Sequence, residues 1–367
     1  MRHTLRLRDG IHFATRFDGA ASRPDDSIPS IRSSAVPPPV TDLKEIADDG
    51  TSVYSLAELL PQGRFFGCED LTFSSIAEDP EHCGMGELVL CRTGVGDPNQ
   101  IIAAALAGGA AGILTEQLLP CPLPQCIVGD IDRALASLAS TTNHRPDTRL
   151  LTIGVLGASG KTSTCLLIST LTTASGLRTA YQCDLGSHEG VIASTPAVPT
   201  PKGAGLVEWL AEAADCCSKL AVIEVDETDA RHGHYDEIEF DLLVVTQRDS
   251  KEGDFGPSAL QSVTDRLAGS GVVVINATDA TSKRWLQQHD VSFVTYGISH
   301  GCDYAALPIN HDGGVSTLML AAGQTNAVME TNLCGLAMAR NIAAASAVGG
   351  LLGYSPDVIA QRLERLR

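Results

Sequence analysis

A strand, a glycine-rich turn and a helix follow one another at residues 150–174, and this succession constrains the fold more than any other feature. Residues 150–155 (LLTIGV) have the apolar character of a buried strand, and residues 162–174 are predicted to form a helix that ends before Gly176. The sequence across the turn is GVLGASGKTST. Glycines let the backbone approach a phosphate, and the helix N-terminus presents unpaired N–H groups to it. We therefore predict a phosphate-binding loop at residues 154–164.

The loop pattern gives its residues distinct expected roles. Lys161 is expected to reach the outer phosphates of a nucleotide, and the Thr162 hydroxyl is expected to ligate Mg²⁺. The strict form of the motif has glycine at position 155, where this chain has Val155. The alternative interpretation is a strand-to-helix turn with an incidental lysine. The predicted nucleotide-binding residues in the loop are Gly157, Ala158, Ser159, Gly160, Lys161, Thr162 and Ser163.

A carboxylate ends the next apolar strand, which is predicted at residues 220–225 (LAVIEV). In proteins with a phosphate-binding loop, an acid at the end of a neighbouring strand holds the metal or its water. We therefore predict Glu224 as a metal ligand and, with Lys161, as a catalytic group. The alternative is a solvated acidic turn, because three further acids follow within five residues.

The strand pattern predicts the fold class α/β. Continuous apolar strands at residues 150–155, 220–225, 241–246 and 271–276 favour a mainly parallel sheet covered by helices on both faces. Short strands and helices also alternate earlier in the chain, which indicates a smaller α/β domain. We predict a linker tail at residues 1–50, a first domain at 51–148 and a central phosphate-loop domain at 149–367. The first predicted domain has strands at 87–91, 111–115 and 126–128 and helices at 99–107 and 130–140.

Composition excludes several classes of partner. The net charge of -18 argues against nucleic acid, which needs clustered basic residues. The 11 cysteines are scattered without C-x-x-C pairs, as expected for free thiols in a reducing compartment. We see no secretory signal and no apolar run long enough to span a bilayer. The expectation is a cytoplasmic protein that does not use a membrane.

Several blocks of the sequence together resemble the Mur ligases, and most of all the branch that adds the third residue to the peptide. These ATP-dependent enzymes add amino acids to UDP-N-acetylmuramic acid. The blocks are residues 154–163 (family G-x-T-G-T-N-G-K-T-T), Pro199-Thr200-Pro201 (T-T-P), Glu224-Val225 (E-V-S-S), residues 274–285 (I-I-N-A-D-D-x-x-x-R-R-W) and residues 335–341 (G-x-F-N-V-x-N). Residues 86–90, 108–116 and 144–150 are similar, more loosely, to the uridine-binding domain of the family.

The resemblance implies a set of ligands and an activity. ATP and Mg²⁺ would be the cofactors, and UDP-N-acetylmuramoyl peptide would be the substrate. Thr200 would contact the UDP-sugar, Glu224 would hold magnesium and Asn341 would lie near the nucleotide base. The implied chemistry is the phosphorylation of a substrate carboxylate, followed by displacement of phosphate by the amine of an amino acid.

Two departures from the family pattern affect its metal site. The family sequence T-N-x-x-x-D-H-x-D has a metal-binding histidine where this chain has Ser250. A carbamylated lysine bridges the metals in the family, and this chain has Thr264 or Asp265 in that region. The uridine-domain signature D-S-R-x-x-x-P-G-D is also poorly matched, with Ser74-Ser75 and Glu87 as the candidates.

A third family domain, which binds the incoming amino acid, would begin where this sequence ends at Arg367. One hypothesis is therefore a ligase subunit whose amino-acid-binding domain lies on another chain. The second is a non-catalytic module that binds nucleotide or UDP-sugar and acts by interaction. The third, a phosphate-loop ATPase or kinase unrelated to the cell wall, is disfavoured by the blocks around Thr200 and Asn341.

Overall fold

The computed structural model describes residues 44–46, 52–77, 79–190, 193–194, 201–247 and 257–364. These residues form two compact units that divide between His144 and Arg145. The division lies four residues ahead of the boundary that we predicted between positions 148 and 149.

The first unit contains two small sheets and three α-helices within its described residues. Its strands are β1 (Lys44–Ile46), β2 (Ser52–Ser55), β3 (Arg64–Phe66), β4 (Thr72–Phe73), β5 (Leu88–Cys91), β6 (Gly112–Thr115) and β7 (Gln125–Ile127), and its helices are α1 (Leu56–Leu59), α2 (Pro98–Gly108) and α3 (Ile131–Thr142). One sheet has the order β1-β2-β4 and is antiparallel. The other has the order β3-β7-β6-β5, in which β5, β6 and β7 are parallel. These three strands and helices α2 and α3 match the predicted elements to within two residues.

Local capping residues explain why α2 and α3 begin and end where they do. Asp97 caps α2 by accepting the N–H of Asn99, and Gly109 ends the helix in the left-handed conformation with φ of 74°. Asp130 caps the N-terminus of α3 by accepting the N–H of Arg133. Strand β1 lies inside the segment for which the sequence predicts no structure. That prediction was wrong for three residues, because β1 is held by pairing with β2, which composition does not reveal.

The second unit is built on one large sheet. Its strands are β8 (Leu151–Leu156), β9 (Thr179–Cys183), β10 (Gly186–His188), β11 (Ala193–Ser194), β12 (Leu220–Glu224), β13 (Phe240–Val245), β14 (Leu267–Asn276), β15 (Phe293–Gly297), β16 (Tyr304–Asp312), β17 (Val315–Ala322) and β18 (Thr325–Thr331). Its helices are α4 (Lys161–Ala174), α5 (Ala204–Asp215), α6 (Glu227–Arg231), α7 (Pro257–Thr264), α8 (Ala280–Gln288), α9 (Leu336–Leu351) and α10 (Pro356–Leu363). The strand order is β11-β10-β9-β12-β8-β13-β14-β15-β16-β17-β18.

Seven consecutive strands of this sheet, from β9 to β16, are parallel, and the flanking strands are antiparallel. Buried side chains of α4, α9 and α10 pack on one face. Buried side chains of α5, α7 and α8 pack on the other. The predicted mainly parallel sheet with helices on both faces is therefore confirmed.

Candidate functional site

The phosphate-binding loop lies at the edge of the sheet where parallel strands end. Strand β8 enters the loop and is flanked by β12 on one side and β13 on the other. In register, Val155 lies opposite Glu224, and Leu156 lies opposite Val245. Ligands of open parallel sheets bind at this edge because loops and helix N-termini converge there.

Two glycines of the loop have backbone conformations that other residues rarely adopt. Gly157 has a φ of 137° and Gly160 a φ of 84°. A Cβ atom on Gly157 would overlap Thr246 Oγ1, and one on Gly160 would lie 2.5 Å from Asn341 Oδ1. Gly160 is also the N-cap residue of α4 and places no side chain over the N–H groups of the first turn. Those N–H groups, which include that of Ser163, have no intrahelical partner and point out of the helix end.

Thr162 and Glu224 meet beside the loop. The Thr162 hydroxyl lies 3.0 Å from Glu224 Oε1 and 2.9 Å from Oε2, and it donates to this carboxylate. Lys161 Nζ lies 3.8 Å from Glu224 Oε1. The Asp184 N–H, directly after β9, donates to Glu224 Oε2 at 3.1 Å, so the carboxylate is oriented from this side as well. Glu224 is only 5% exposed, which makes its negative charge a strong local feature.

This pair of oxygen ligands suits Mg²⁺. Magnesium prefers hard oxygen ligands and is usually bound by one or two protein groups together with waters and substrate phosphates. The hydroxyl of Thr162 and the carboxylate of Glu224 supply such a set next to the helix N-terminus. Across the described ranges, no cluster of three or more His, Cys, Asp or Glu side chains is arranged to hold a metal by itself.

Two of the acids that follow Glu224, Asp226 and Asp229, have structural roles. Asp226 caps α6 by accepting the N–H groups of Thr228 and Asp229. Asp229 accepts from Lys202 Nζ at 2.8 Å. The Asp226 N–H donates to the Tyr235 hydroxyl at 3.0 Å, and burial raises the pKa of this phenol. Asp226 and Asp229 are thus engaged within or beside α6, whereas Glu224 contacts the loop residue Thr162.

A contact that the sequence did not reveal supports the loop from the β13 side. The carbonyl oxygen of Gln247 accepts the N–H groups of Ala158 at 3.1 Å and Ser159 at 3.3 Å. Its side-chain Oε1 accepts from Arg340 Nη1 at 3.4 Å. Gln247 follows β13 by two residues, and Arg340 lies on α9. Because both are distant in sequence from the loop, only tertiary structure brings them to it.

The remaining predicted residues fall in different places. Thr200 and Ser250 lie outside the described residues. Asn341, predicted near the nucleotide base, lies on α9 with its side chain against Gly160. The Thr264 hydroxyl donates to the carbonyls of Leu260 and Gln261 in its own helix, and Asp265 is exposed.

In the first unit, the weak uridine-domain candidates lie together. Ser75 Oγ donates to Glu87 Oε1 at 2.8 Å, and the Gly84 N–H donates to Glu87 Oε2 at 2.7 Å. Hydrogen bonds from Gly84 and Ser75 lower the pKa of the Glu87 carboxyl. Ser74 Oγ donates to the carbonyl of Gly86 at 3.2 Å. The two serines thus bond to neighbouring residues, Ser74 to Gly86 and Ser75 to Glu87.

Comparison with known proteins identifies the family. The sequence profile described as the Mur ligase middle domain matches residues 155–349, just over half of the chain, and spans the loop, Glu224 and Asn341. This chain belongs to the Mur ligase family. The resemblance seen in the sequence is therefore confirmed.

Two sequence relatives of this Mur ligase family member share one name. A UDP-N-acetylmuramoyl-L-alanyl-D-glutamate–2,6-diaminopimelate ligase of Geobacillus kaustophilus is 27% identical over 298 residues, which cover 78% of this chain and 61% of the relative. The ligase of the same name from Chlamydia pneumoniae is 28% identical over 305 residues, covering 79% and 62%. The chain thus spans about three-fifths of the length of the curated relatives that it matches.

Solved structures share the fold. A structure of UDP-N-acetylmuramoyl-L-alanyl-D-glutamate–2,6-diaminopimelate ligase aligns with a TM-score of 0.68 at 18% identity, covering 86% of this chain and 67% of that one. MurF from Acinetobacter baumannii aligns with a TM-score of 0.57 at 18% identity, covering 85% and 66%. Within the described part of this chain, no helix has the length and apolar character needed to cross a membrane.

Proposed function

We propose that this Mur ligase family member binds ATP with Mg²⁺ at residues 154–164 and uses it to form an amide bond on UDP-N-acetylmuramoyl peptide. The sequence relatives are named as ligases that join UDP-N-acetylmuramoyl-L-alanyl-D-glutamate to 2,6-diaminopimelate, and this pair of substrates is the first choice for an assay. The proposed setting is peptidoglycan precursor synthesis in the cytoplasm.

The observation that carries this proposal is the contact of Thr162 with Glu224. A hydroxyl directly after the loop lysine, bonded to a buried carboxylate on the neighbouring strand, is the arrangement expected for a metal bound to nucleotide phosphates. Lys161 lies close to the same carboxylate, so its ammonium is held beside the loop rather than directed into solvent. A structural turn with an incidental lysine would not require this convergence.

The proposed reaction has two steps. A carboxylate oxygen of the substrate attacks the γ-phosphorus of ATP, the bond to the bridging oxygen breaks, and ADP leaves with the electron pair. The amine of the second substrate then attacks the acyl phosphate carbon, inorganic phosphate leaves, and the amine loses a proton. When Mg²⁺ is bound, it supplies positive charge that neutralises the phosphates. Lys161 and the N–H groups at the start of α4 orient the phosphates and stabilise the charge on the transferred group.

The amine substrate needs a binding site of its own. The sequence relatives are longer than this chain. We propose that the amino acid is bound by a domain outside these 367 residues, with a separate chain as the partner that could carry it. The hypothesis is tested by adding such a chain to the assay.

A second candidate function is a non-catalytic module of Mur ligase ancestry that binds nucleotide or UDP-sugar. It is favoured by the region where the family has its carbamylated lysine. There the Thr264 hydroxyl is bonded within its own helix, and the Asp265 carboxylate is exposed. Such a module would bind MgATP without releasing phosphate from it.

The first test measures nucleotide binding by the full chain. Isothermal titration with MgATP should show binding by the wild type and none by Lys161→Ala. Lys219→Ala is the matched control, because it also removes one ammonium but is exposed and precedes β12, at the opposite edge of the sheet from Glu224. Equal affinity of the wild type and Lys161→Ala would refute the loop assignment.

The second test separates the two candidate functions. The chain is incubated with MgATP, UDP-N-acetylmuramoyl-L-alanyl-D-glutamate and 2,6-diaminopimelate, with and without a candidate partner chain. Ligase activity gives phosphate release and a UDP-tripeptide product by mass spectrometry when the partner is present. Binding of MgATP with no product under either condition would favour the non-catalytic module.

A further inference from the structure

Arg340 lies beside the phosphate-binding loop. It is the fifth residue of α9, and its Nη1 donates to Gln247 Oε1 at 3.4 Å. The backbone of the same Gln247 holds the loop through the N–H groups of Ala158 and Ser159. The guanidinium is therefore one side chain away from the backbone that is expected to cradle phosphates.

Asn341, the next residue of α9, is independent evidence that the start of this helix lies against the loop. Asn341 Oδ1 lies so close to Gly160 that a Cβ on the glycine would be 2.5 Å from it. Asn341 of α9 thus contacts the loop at Gly160, and Arg340 beside it reaches Gln247, whose backbone oxygen accepts the Ser159 N–H. Because β12 and β13 flank β8 on opposite sides, Arg340 approaches the loop from the side opposite to Glu224.

Among the described residues, Lys161 and Arg340 are cations near the loop, and they have different partners. Lys161 lies 3.8 Å from the carboxylate of Glu224. Arg340 forms no ion pair with a carboxylate among the described residues, and its bond to Gln247 is made to a neutral amide oxygen. The first turn of α9 also contains no acidic residue and no side-chain cap. The positive charge of Arg340 therefore has no compensation from its own helix.

The contact between Arg340 and Gln247 is one that the side chain can give up at little cost. A donor–acceptor distance of 3.4 Å is long for a hydrogen bond, and such bonds are weak. A guanidinium carries five N–H donors in a rigid plane and forms shorter, charge-assisted bonds with phosphate oxygens. Exchange of the amide oxygen for a phosphate is thus favourable once an anion occupies the loop.

We propose that Arg340 is a nucleotide-contacting residue, which leaves Gln247 and donates to phosphate oxygens of the polyphosphate held by the loop. It then acts as a second cation opposite Lys161. This inference rests on the proposed function, since it needs a bound nucleotide. The family resemblance assigns a nucleotide contact to Asn341 and none to the position of Arg340.

The test is competition against a fluorescent ATP analogue bound to the full chain, with MgATP and magnesium tripolyphosphate as competitors. The variants are Arg340→Gln, Arg340→Lys and Gln247→Ala. Arg149→Gln is the matched control for loss of one guanidinium, because Arg149 is exposed and pairs with Asp215 outside the loop. Thermal unfolding of each variant without ligand shows whether it is folded.

Arg340→Gln should lower the affinity for both competitors by about 10- to 100-fold, which is the loss expected for hydrogen bonds to a charged group. The affinity of Arg340→Lys for both competitors should lie between that of Arg340→Gln and that of the wild type, because lysine keeps the charge but lacks the planar guanidinium. Arg149→Gln should match the wild type. Gln247→Ala should not reproduce the loss, because Arg340 would still reach the phosphates.

Three outcomes would overturn the inference. Arg340→Gln could bind both competitors as tightly as the wild type. It could lose affinity for MgATP but not for tripolyphosphate, which would place Arg340 on the base or ribose. Gln247→Ala could show the same loss, which would make Arg340 a support of the loop only. A wild type that does not bind MgATP would refute the proposed function and this inference together, whereas normal binding with no effect of Arg340→Gln refutes this inference alone.

Discussion

The Thr162 hydroxyl donates to both carboxylate oxygens of Glu224, at 3.0 Å and 2.9 Å. Thr162 is the second residue of α4, and Glu224 is the last residue of β12, so the contact joins a helix start to a strand end 62 residues away in sequence. Strand β12 and strand β8, which leads into α4, are neighbours and run parallel, so their carboxyl ends meet at one edge. The proposed magnesium site depends on this contact.

Glu224→Gln should weaken MgATP binding by about 2 kcal/mol, the contribution of a hydrogen bond or metal contact to a charged group. The amide keeps the size of the side chain and can still accept from Thr162, so the fold should be retained. Without metal, the carboxylate has no magnesium to bind, and the wild type and variant should then bind ATP with similar affinity. Isothermal titration with magnesium and with a chelator measures the difference.

Glu330→Gln serves as the control, because it neutralises an exposed acid on β18 in the same unit. It should bind MgATP like the wild type under both conditions. A Glu224→Gln variant with undiminished affinity in magnesium would show that this carboxylate does not hold the metal.

Gly157→Ala should lower the free energy of unfolding by about 2–4 kcal/mol through two effects. The φ of 137° is unfavourable for a residue with a Cβ, which costs of order 1–3 kcal/mol. The added methyl would also overlap Thr246 Oγ1 and approach the Thr246 backbone, whose N–H is held by a hydrogen bond to the Leu156 carbonyl. Urea unfolding measures the change.

Gly176→Ala separates these two effects. Gly176 follows α4 with a φ of 89°, but a Cβ there would meet no atom within 4 Å. Gly176→Ala should show the conformational cost without the overlap. Its free energy of unfolding should therefore be higher than that of Gly157→Ala. Equal losses at both positions would mean that the close approach of Thr246 is relieved at no cost.

Cys126 should make the stability of the first unit depend on alkaline pH. Burial raises the pKa of its thiol from 9.0 to about 11. Between these values the unfolded chain releases the thiol proton while the folded chain retains it, so the free energy of unfolding falls as pH rises. The stability that the protonated Cys126 thiol contributes to the folded state is fully present below pH 9.0 and is lost as the pH rises towards 11.

Cys126→Ala removes this pH dependence together with some packing. The wild type should be the more stable protein near neutral pH, and its advantage should shrink by about 1 kcal/mol near pH 10. Urea unfolding of both proteins at the two pH values gives the advantage directly, and effects of other cysteines cancel in the difference. A constant advantage would show that the Cys126 thiol ionises normally in the fold.

The sequence predicted the parts of the site that are encoded locally. The loop, Lys161 and Thr162 follow from one contiguous pattern, and Glu224 follows from the rule that acids at strand ends face the loop in such folds. Gln247 and Arg340 lie in segments that were aligned with family patterns, but no local signal assigns either residue a contact with the loop. Gln247 contributes a backbone oxygen, which any residue could provide, and Arg340 reaches the loop only through the packing of α9 on the sheet.

The antiparallel pairing of β16 with β17 and of β17 with β18 was missed, although these strands carry a signal. Residues 325–331 alternate between exposed and buried side chains, and Gly313 and Gly314 both have positive φ in the tight turn between β16 and β17. Asp-Gly-Gly between two apolar runs is a hairpin pattern. The parallel strands β8, β12, β13 and β14 were easier to recognise because burial on both faces makes them continuously apolar, whereas strands with one covered face are only half apolar. The parallel strands β9 and β15 were also missed.

Asn341→Ala should weaken the binding of ATP and GTP to the same extent. Its Oδ1 lies against Gly160, in the backbone that holds phosphates, and phosphates are common to both nucleotides. The family resemblance instead implies a contact with the base, which would discriminate between adenine and guanine. Loss of one neutral hydrogen bond or packing contact predicts a weakening of about 1 kcal/mol for each nucleotide.

Competition titrations of MgATP and MgGTP against the wild type and the variant decide between the two roles. Asn310→Ala is a matched control, because it truncates an exposed asparagine on β16 in the same unit. If the variant loses affinity for ATP only, Asn341 contacts the base, and its position beside Gly160 is that of the side chain without ligand. If both lose affinity equally, the asparagine acts through the loop, and base recognition must come from other residues.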